Sequence, residues 1–227
     1  AAEPGWPPAR SRGLEGGEPG TRRMRRFLYI SPYFPPDCRV GALRPLKFVR
    51  HLGAYGWEPV VLADFHPASA VDPELLAAVP PGVPVLYDYG WRAASEARAR
   101  LGQLWAPGSA PGTAGRRLRR RAAVGRLLEW LAVNPELVPL GEHLCDLPHA
   151  HEAARRAHAR FGCTAILVNA DPFAALLVGR SLARETGSPL VADLRDPWAH
   201  CELRRPLRPP LQRAIVDGLE RGVMETS

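Results

Sequence analysis

The sequence predicts a single α/β domain of Rossmann-like type, built on a doubly wound parallel sheet. Three observations predict it. From Arg25 onward, short β-rich apolar runs alternate with helix-period stripes. Glycines (Gly56, Gly162, Gly187) close the helical stretches. The length of 227 residues suits one sizeable α/β core but hardly two large domains.

Taken in order, residues 1–23 are rich in Gly, Pro, Arg and Glu without apolar periodicity. They are expected to be a disordered or non-native leader, with Met24 as the suspected true start. The domain is expected to fill 24–227. Strands are expected at 27–30, 59–63, 83–87, 165–169 and 189–193. The first helix is read from Leu43, Leu46, Val49 and Leu52, with Phe48 widening the stripe and Gly53 and Gly56 ending it. Asp72-Pro73-Glu74 reads as a helix start, because a proline in the first turn loses no helical hydrogen bond. Further helices are expected at 148–160, at 172–186 with Leu176, Leu177, Val178 and Leu182 inward, and at 211–219. Val223 to Ser227 is read as the start of another strand. Residues 91–135 are the least legible part, with a Gly/Pro/Ala-rich loop at 106–115 separating two helical pieces.

The net charge of +7 invites a nucleic-acid reading, but Lys47 is the only lysine among 30 basic residues. Arginine and alanine excess of that kind marks a GC-rich coding sequence, so no nucleic-acid partner is expected. The charge is also local. Arg116, Arg117, Arg119, Arg120, Arg121 and Arg126 precede or join a stripe of Val124, Leu127, Leu128 and Leu131. A solvated helix face explains them; contact with an anionic membrane is the alternative. No stretch approaches the roughly 18 apolar residues of a membrane-spanning helix, and no signal-peptide core is visible. A cytoplasmic chain is expected, with peripheral contact at the inner face of the membrane as an option. Its four cysteines (Cys38, Cys145, Cys163, Cys201) are expected to be free thiols. His143, Cys145, His149 and His151 cluster in sequence, yet their spacing matches no zinc-site pattern, so no metal is assigned.

In such sheets ligands bind beyond the carboxyl ends of the strands, and three loops there carry chemistry. The first runs through Pro35-Pro36-Asp37 to Gly41 and Ala42 before a helix, where backbone N–H groups and the helix dipole suit a phosphate. It lacks the dinucleotide and P-loop fingerprints, and a plain tight turn explains it equally. The second holds Asn169 and Asp171, the latter read mainly as a helix cap. In the third, Asp193, Arg195 and Asp196 follow an apolar strand, with Trp198 and His200 beyond. Charges stacked there need partners or a ligand. Arginine suits bidentate recognition and a tryptophan face suits a sugar. The alternative is an internal Arg–Asp clamp.

Two segments together carry a resemblance. YISPYFPPDCRVGALRPLKFVRHLGAYGWEPVVLA resembles the opening of family-4 glycosyltransferases, and ILVNADPFAALLVGRSLARETGSPLVADLRDPWAH looks like their later strand-helix-strand unit ending in D-x-R-D-P-W. The resemblance spans 25–227 and leaves 91–147 essentially unmatched. Asp171 stands where a second proline is expected and Ala174 where a small hydroxyl residue is common. Arg195 follows the strand where many relatives carry a histidine; His200 comes five residues later. The resemblance implies the amino-terminal, acceptor-side half of a GT-B fold, truncated before the nucleotide-sugar domain. It implies a retaining transferase, active in full-length form and not as this fragment. Its partners would be a nucleotide-sugar donor and a glycan or lipid-linked acceptor, with no cofactor and no metal. Gly41 and Ala42 would then serve the donor phosphates, and Arg195 and Asp196 the catalysis. Asn169, Trp198 and His200 would line the acceptor side of the cleft. A non-catalytic binding or membrane-docking module using 116–131 is the rival reading.

Overall fold

The computed structural model describes residues 24–64, 71–90, 146–170, 172–202 and 205–227. Five parallel strands run in the order β3-β2-β1-β4-β5: β1 (Arg25–Ile30), β2 (Trp57–Ala63), β3 (Val85–Tyr87), β4 (Ala165–Asn169) and β5 (Leu190–Asp193). Helices α1 (Val40–His51), α2 (Pro73–Ala77), α3 (Leu147–Phe161), α4 (Ala174–Thr186) and α5 (Pro210–Met224) complete the described elements. The Rossmann-like α/β class expected from the alternation is the class observed. The 1–23 leader, Asp171, His143, Cys145 and the basic stretch at 116–131 lie outside the described residues.

Alternation along the strands sorts side chains between two faces. Phe27, Tyr29, Val61 and Ala63 pack with Val49 and Phe48 of α1. Leu28, Ile30, Val60, Leu62, Ile166 and Val168 pack with α3, α4 and α5. Alanines 150, 153, 154 and 157 form the buried stripe of α3, and their small side chains let the helix lie close to the sheet. A Cβ added to Gly179 of α4 would sit 2.3 Å from Cγ2 of Val168, so glycine permits the tight seat of α4 on β4. Gly162 and Gly187 end α3 and α4 with φ of 62° and 69°, backbone that glycine adopts at little cost. Asp72 caps α2, its Oδ1 accepting from the backbone N–H groups of Glu74 and Leu75 at 2.8 and 3.2 Å.

Two expectations are corrected. Helix α1 begins at Val40 and buries Gly41, Ala42, Pro45, Leu46 and Val49, whereas Leu43 is exposed. Leu46 and Val49 of the expected stripe do face inward, joined by the small residues Gly41, Ala42 and Pro45 in place of Leu43. Val223 to Ser227 is no strand: α5 continues to Met224. Val216 and Val223 are buried, with Leu219 packed beside them, so the apolar period there is helical. Among the described residues no helix is long and apolar enough to cross a membrane.

Candidate functional site

The strand order reverses direction between β1 and β4, because successive crossovers leave β1 toward β2 and return on its other side at β4. Such a switch point opens a crevice at the carboxyl end of the sheet. Ser31 follows β1 there and Asn169 ends β4. Both are buried, and the Asn169 amide donates to Oγ of Ser31 at a long 3.4 Å. Ser31 in turn donates to the carbonyl of Tyr33 at 2.8 Å.

The proline-rich loop after Ser31 is fixed by polar contacts. The Tyr87 hydroxyl donates to the carbonyl of Pro35, and Asp72 N–H donates to that of Pro36 at 2.8 Å. The buried Asp37 carboxylate accepts from the Arg39 backbone N–H at 2.9 Å and is gripped by the Arg39 guanidinium. That guanidinium lies 3.9 Å from the Tyr33 ring centroid. The loop thus delivers the chain to α1 in a set direction. No side chain caps α1, and no acidic residue stands in its first turn. The acid before the helix is Asp37, held by Arg39, and no side chain takes the N–H groups of the first turn itself.

Across the crevice Arg44 of α1 reaches Asp193 at the end of β5 by a bidentate pair, Nε to Oδ2 at 2.8 Å and Nη2 to Oδ1 at 2.5 Å. The hydrogen bond to Asp193 raises the Arg44 pKa above its already high usual value. Beneath the pair lies the buried Tyr29 hydroxyl, which has no hydrogen-bond partner among the described residues. Burial, and then the Asp193 charge, push this phenol up, with Arg44 pulling the other way. Tyr29 is neutral at any physiological pH.

These elements enclose a cleft of about 360 Å³. Its α1 wall presents Val40, Gly41, Leu43, Arg44 and Lys47; Asn169 and Arg195 supply the remainder. Three of the lining residues are cationic and none is acidic. Arg44 is committed to Asp193. Lys47 is exposed and has no acidic partner among the described residues. Chemically the cleft can hold a small anion-bearing ligand and offer it one neutral amide.

The expected site residues are only partly brought together. Gly41, Asn169 and Arg195 line the cleft. Ala42 is buried behind Gly41, its N–H bonded to the carbonyl of Arg39 at 2.9 Å. Asp196 is exposed, accepting from Nε of Arg195 at 3.0 Å, and is not a lining residue. Trp198 offers no ring face to the cleft. It is 2% exposed and stacks on Phe173 with centroids 5.3 Å apart and planes 5° apart, so its apolar area is spent in the core. His200 is on the surface beyond, where Arg205 contacts its Nδ1 at 3.2 Å and also pairs with Asp217 at 3.0 Å. Of the suspected metal cluster, His149 pairs with Asp88 and His151 with Glu185, each at 3.0 Å, on separate sides of α3. Arg44 and Lys47 were not among the expected site residues. Their signal is spacing: with α1 starting at Val40, positions 40, 43, 44 and 47 share one helix face opposite the buried one.

The fold and the site together define a parallel α/β domain with a cationic cleft at its topological switch point. No family model and no curated protein matches the chain. Among solved structures it is similar to the Streptomyces sp. SF2575 glycosyltransferase SsfS6, with 19% identity and a TM-score of 0.39. The match covers 80% of this chain and 42% of that one, so the chain spans less than half the length of that enzyme. Likeness at that level bears on neither activity nor substrate.

Proposed function

We propose that this chain is the acceptor-side domain of a retaining, nucleotide-sugar-dependent glycosyltransferase that works in the cytoplasm on a glycan. The observation that carries the reading is the cleft itself. It sits where an α/β sheet binds ligands, its wall is an uncapped helix N-terminus, and its charged lining is wholly basic. The resemblance of the β1–α1 and β4–β5 segments to family-4 enzymes supports the same reading. In it, the N-terminal turn at Gly41 faces the donor diphosphate. Arg195 contacts the leaving group or the transferred sugar, and Asp196 acts as a positioning residue through its hydrogen bond to Arg195. Fixed positive charge would stabilise the departing diphosphate, where negative charge builds in the transition state.

Saturation-transfer NMR on the 227-residue chain with UDP-glucose and GDP-mannose tests this. A sugar nucleotide is expected to receive saturation from the protein, and Arg195→Ala to weaken the transfer. Absence of any nucleotide-sugar binding, or binding indifferent to Arg195→Ala, contradicts the reading.

A further inference from the structure

The cleft holds more information than its sign of charge. Asn169 is 2% exposed and yet lines the cleft. Its amide nitrogen makes one long hydrogen bond, and its Oδ1 accepts none from the described residues. That oxygen is open to the cleft, where a ligand can donate to it. A neutral group able both to donate and to accept is matched by a hydroxyl. The basic lining beside it is matched by an anion. Arg44 is taken by Asp193 and Arg195 is shared with Asp196, which leaves Lys47 as the cation without a carboxylate among the described residues. The volume of about 360 Å³ stands at the lower end of the ligand-pocket range of roughly 300–1,000 Å³. That suits one ring-sized molecule better than a whole nucleotide sugar.

We infer that the cleft is an acceptor subsite for a phosphorylated sugar or polyol, with Lys47 on the phosphate and Asn169 on a hydroxyl. The inference rests on the glycosyl-transfer reading for the word acceptor, but not for the binding chemistry. Lys47 projects a compact ammonium from the second turn of α1, and so reaches over the apolar pair of Val40 and Leu43. That pair is exposed at the cleft and can meet the non-polar face of a sugar ring. Selection would then be twofold, since a neutral sugar lacks the charge and inorganic phosphate lacks the hydroxyl.

Calorimetric titration of the full chain with glucose 6-phosphate, glycerol 3-phosphate, glucose, inorganic phosphate and UDP tests it. The account expects a phosphorylated sugar or polyol to bind at least about tenfold more tightly than glucose or inorganic phosphate. It expects Lys47→Met to lower that affinity by a similar factor, Lys47→Arg to restore most of it, and added salt to weaken it. Lys47 is exposed, so the variant's melting temperature should match the parent's. Asn169→Ala should lose discrimination against inorganic phosphate; if it fails to fold, Asn169→Ser gives the same readout. Equal affinity for glucose and glucose 6-phosphate, indifferent to Lys47→Met, overturns the inference and leaves the transferase reading standing. Competitive displacement of glucose 6-phosphate by UDP also overturns it, by assigning the same phosphate chemistry to the donor. Sugar-phosphate binding as expected, without any nucleotide-sugar binding, supports the subsite and contradicts the transferase reading instead.

Discussion

Arg44 and Asp193 stand 149 residues apart in the chain, while Arg195 and Asp196 are neighbours, and both pairs lie at the carboxyl end of the same sheet. They are chemically alike and structurally opposite. In the first pair the Asp193 side chain is 9% exposed and the guanidinium grips both carboxylate oxygens. It ties a helix from one face of the sheet to the last described strand. In the second pair the side chains are 42% and 58% exposed, and the ends joined are already joined by the backbone. A clamp gains from bringing distant segments together. A neighbour pair in water gains little. The contrast teaches that the Arg–Asp motif plainly visible in the chain is the solvated one, and that the clamp is the pair hidden by sequence distance.

The largest expected effect of breaking this contrast is at Asp193. Asp193→Ala removes a two-point, charge-assisted bond at a mostly buried carboxylate and should destabilise the chain by about 1.5 kcal/mol, the exposure of Arg44 holding it below the upper figures for such bonds. Urea denaturation measures it. A double-mutant cycle with Arg44→Ala should return a coupling of about 1 kcal/mol, and a coupling near zero would break the comparison.

A pH scan sharpens it. His158, half-buried in α3 and bonded through Nε2 to Oγ of Ser188 at 2.9 Å, is pushed below its usual pKa by burial. The unfolded chain, with an ordinary histidine near about 6.5, therefore binds the proton more readily than the folded one. Stability is fully present above that pH and falls as pH drops through it toward the lower folded value. His158→Gln should flatten this part of the profile, leaving any remaining slope to other groups. A parent profile with stability rising as the pH falls through 6 would contradict the assignment.

The smallest effect is expected at Asp196. Asp196→Asn should change stability by no more than about 0.5 kcal/mol, because the pair is solvated and local. Thermal melting checks this, and a loss as large as that of Asp193→Ala would make the second pair a clamp after all.

Much of the architecture was legible because it is written in local periodicity. The β4 run at 165–169 and the glycine stops at 162 and 187 stand where expected, and Asp72-Pro73-Glu74 starts its helix. Leu43 misled because leucine spacing outweighed the small residues Gly41, Ala42 and Pro45, whose close fit against the domain only three dimensions reveal. Trp198 misled similarly. Its ring has the right chemistry for a sugar, but Phe173, 25 positions earlier, claims its face. At the site, Gly41, Asn169 and Arg195 could be found by their places at strand ends and a helix start. Arg44 and Lys47 could not, since their part depends on which side of α1 the sheet leaves open.

The central claim is that ligands bind at the switch point between β1 and β4. Backbone NMR of the ¹⁵N-labelled chain, titrated with UDP-glucose and with glucose 6-phosphate, tests it most directly. The account predicts shifts at Gly41 and Arg195 with UDP-glucose, and at Ser31, Arg44, Lys47 and Asn169 with glucose 6-phosphate. Shifts centred instead on the His149 and His151 surface of α3, or none at these six amides, would contradict it.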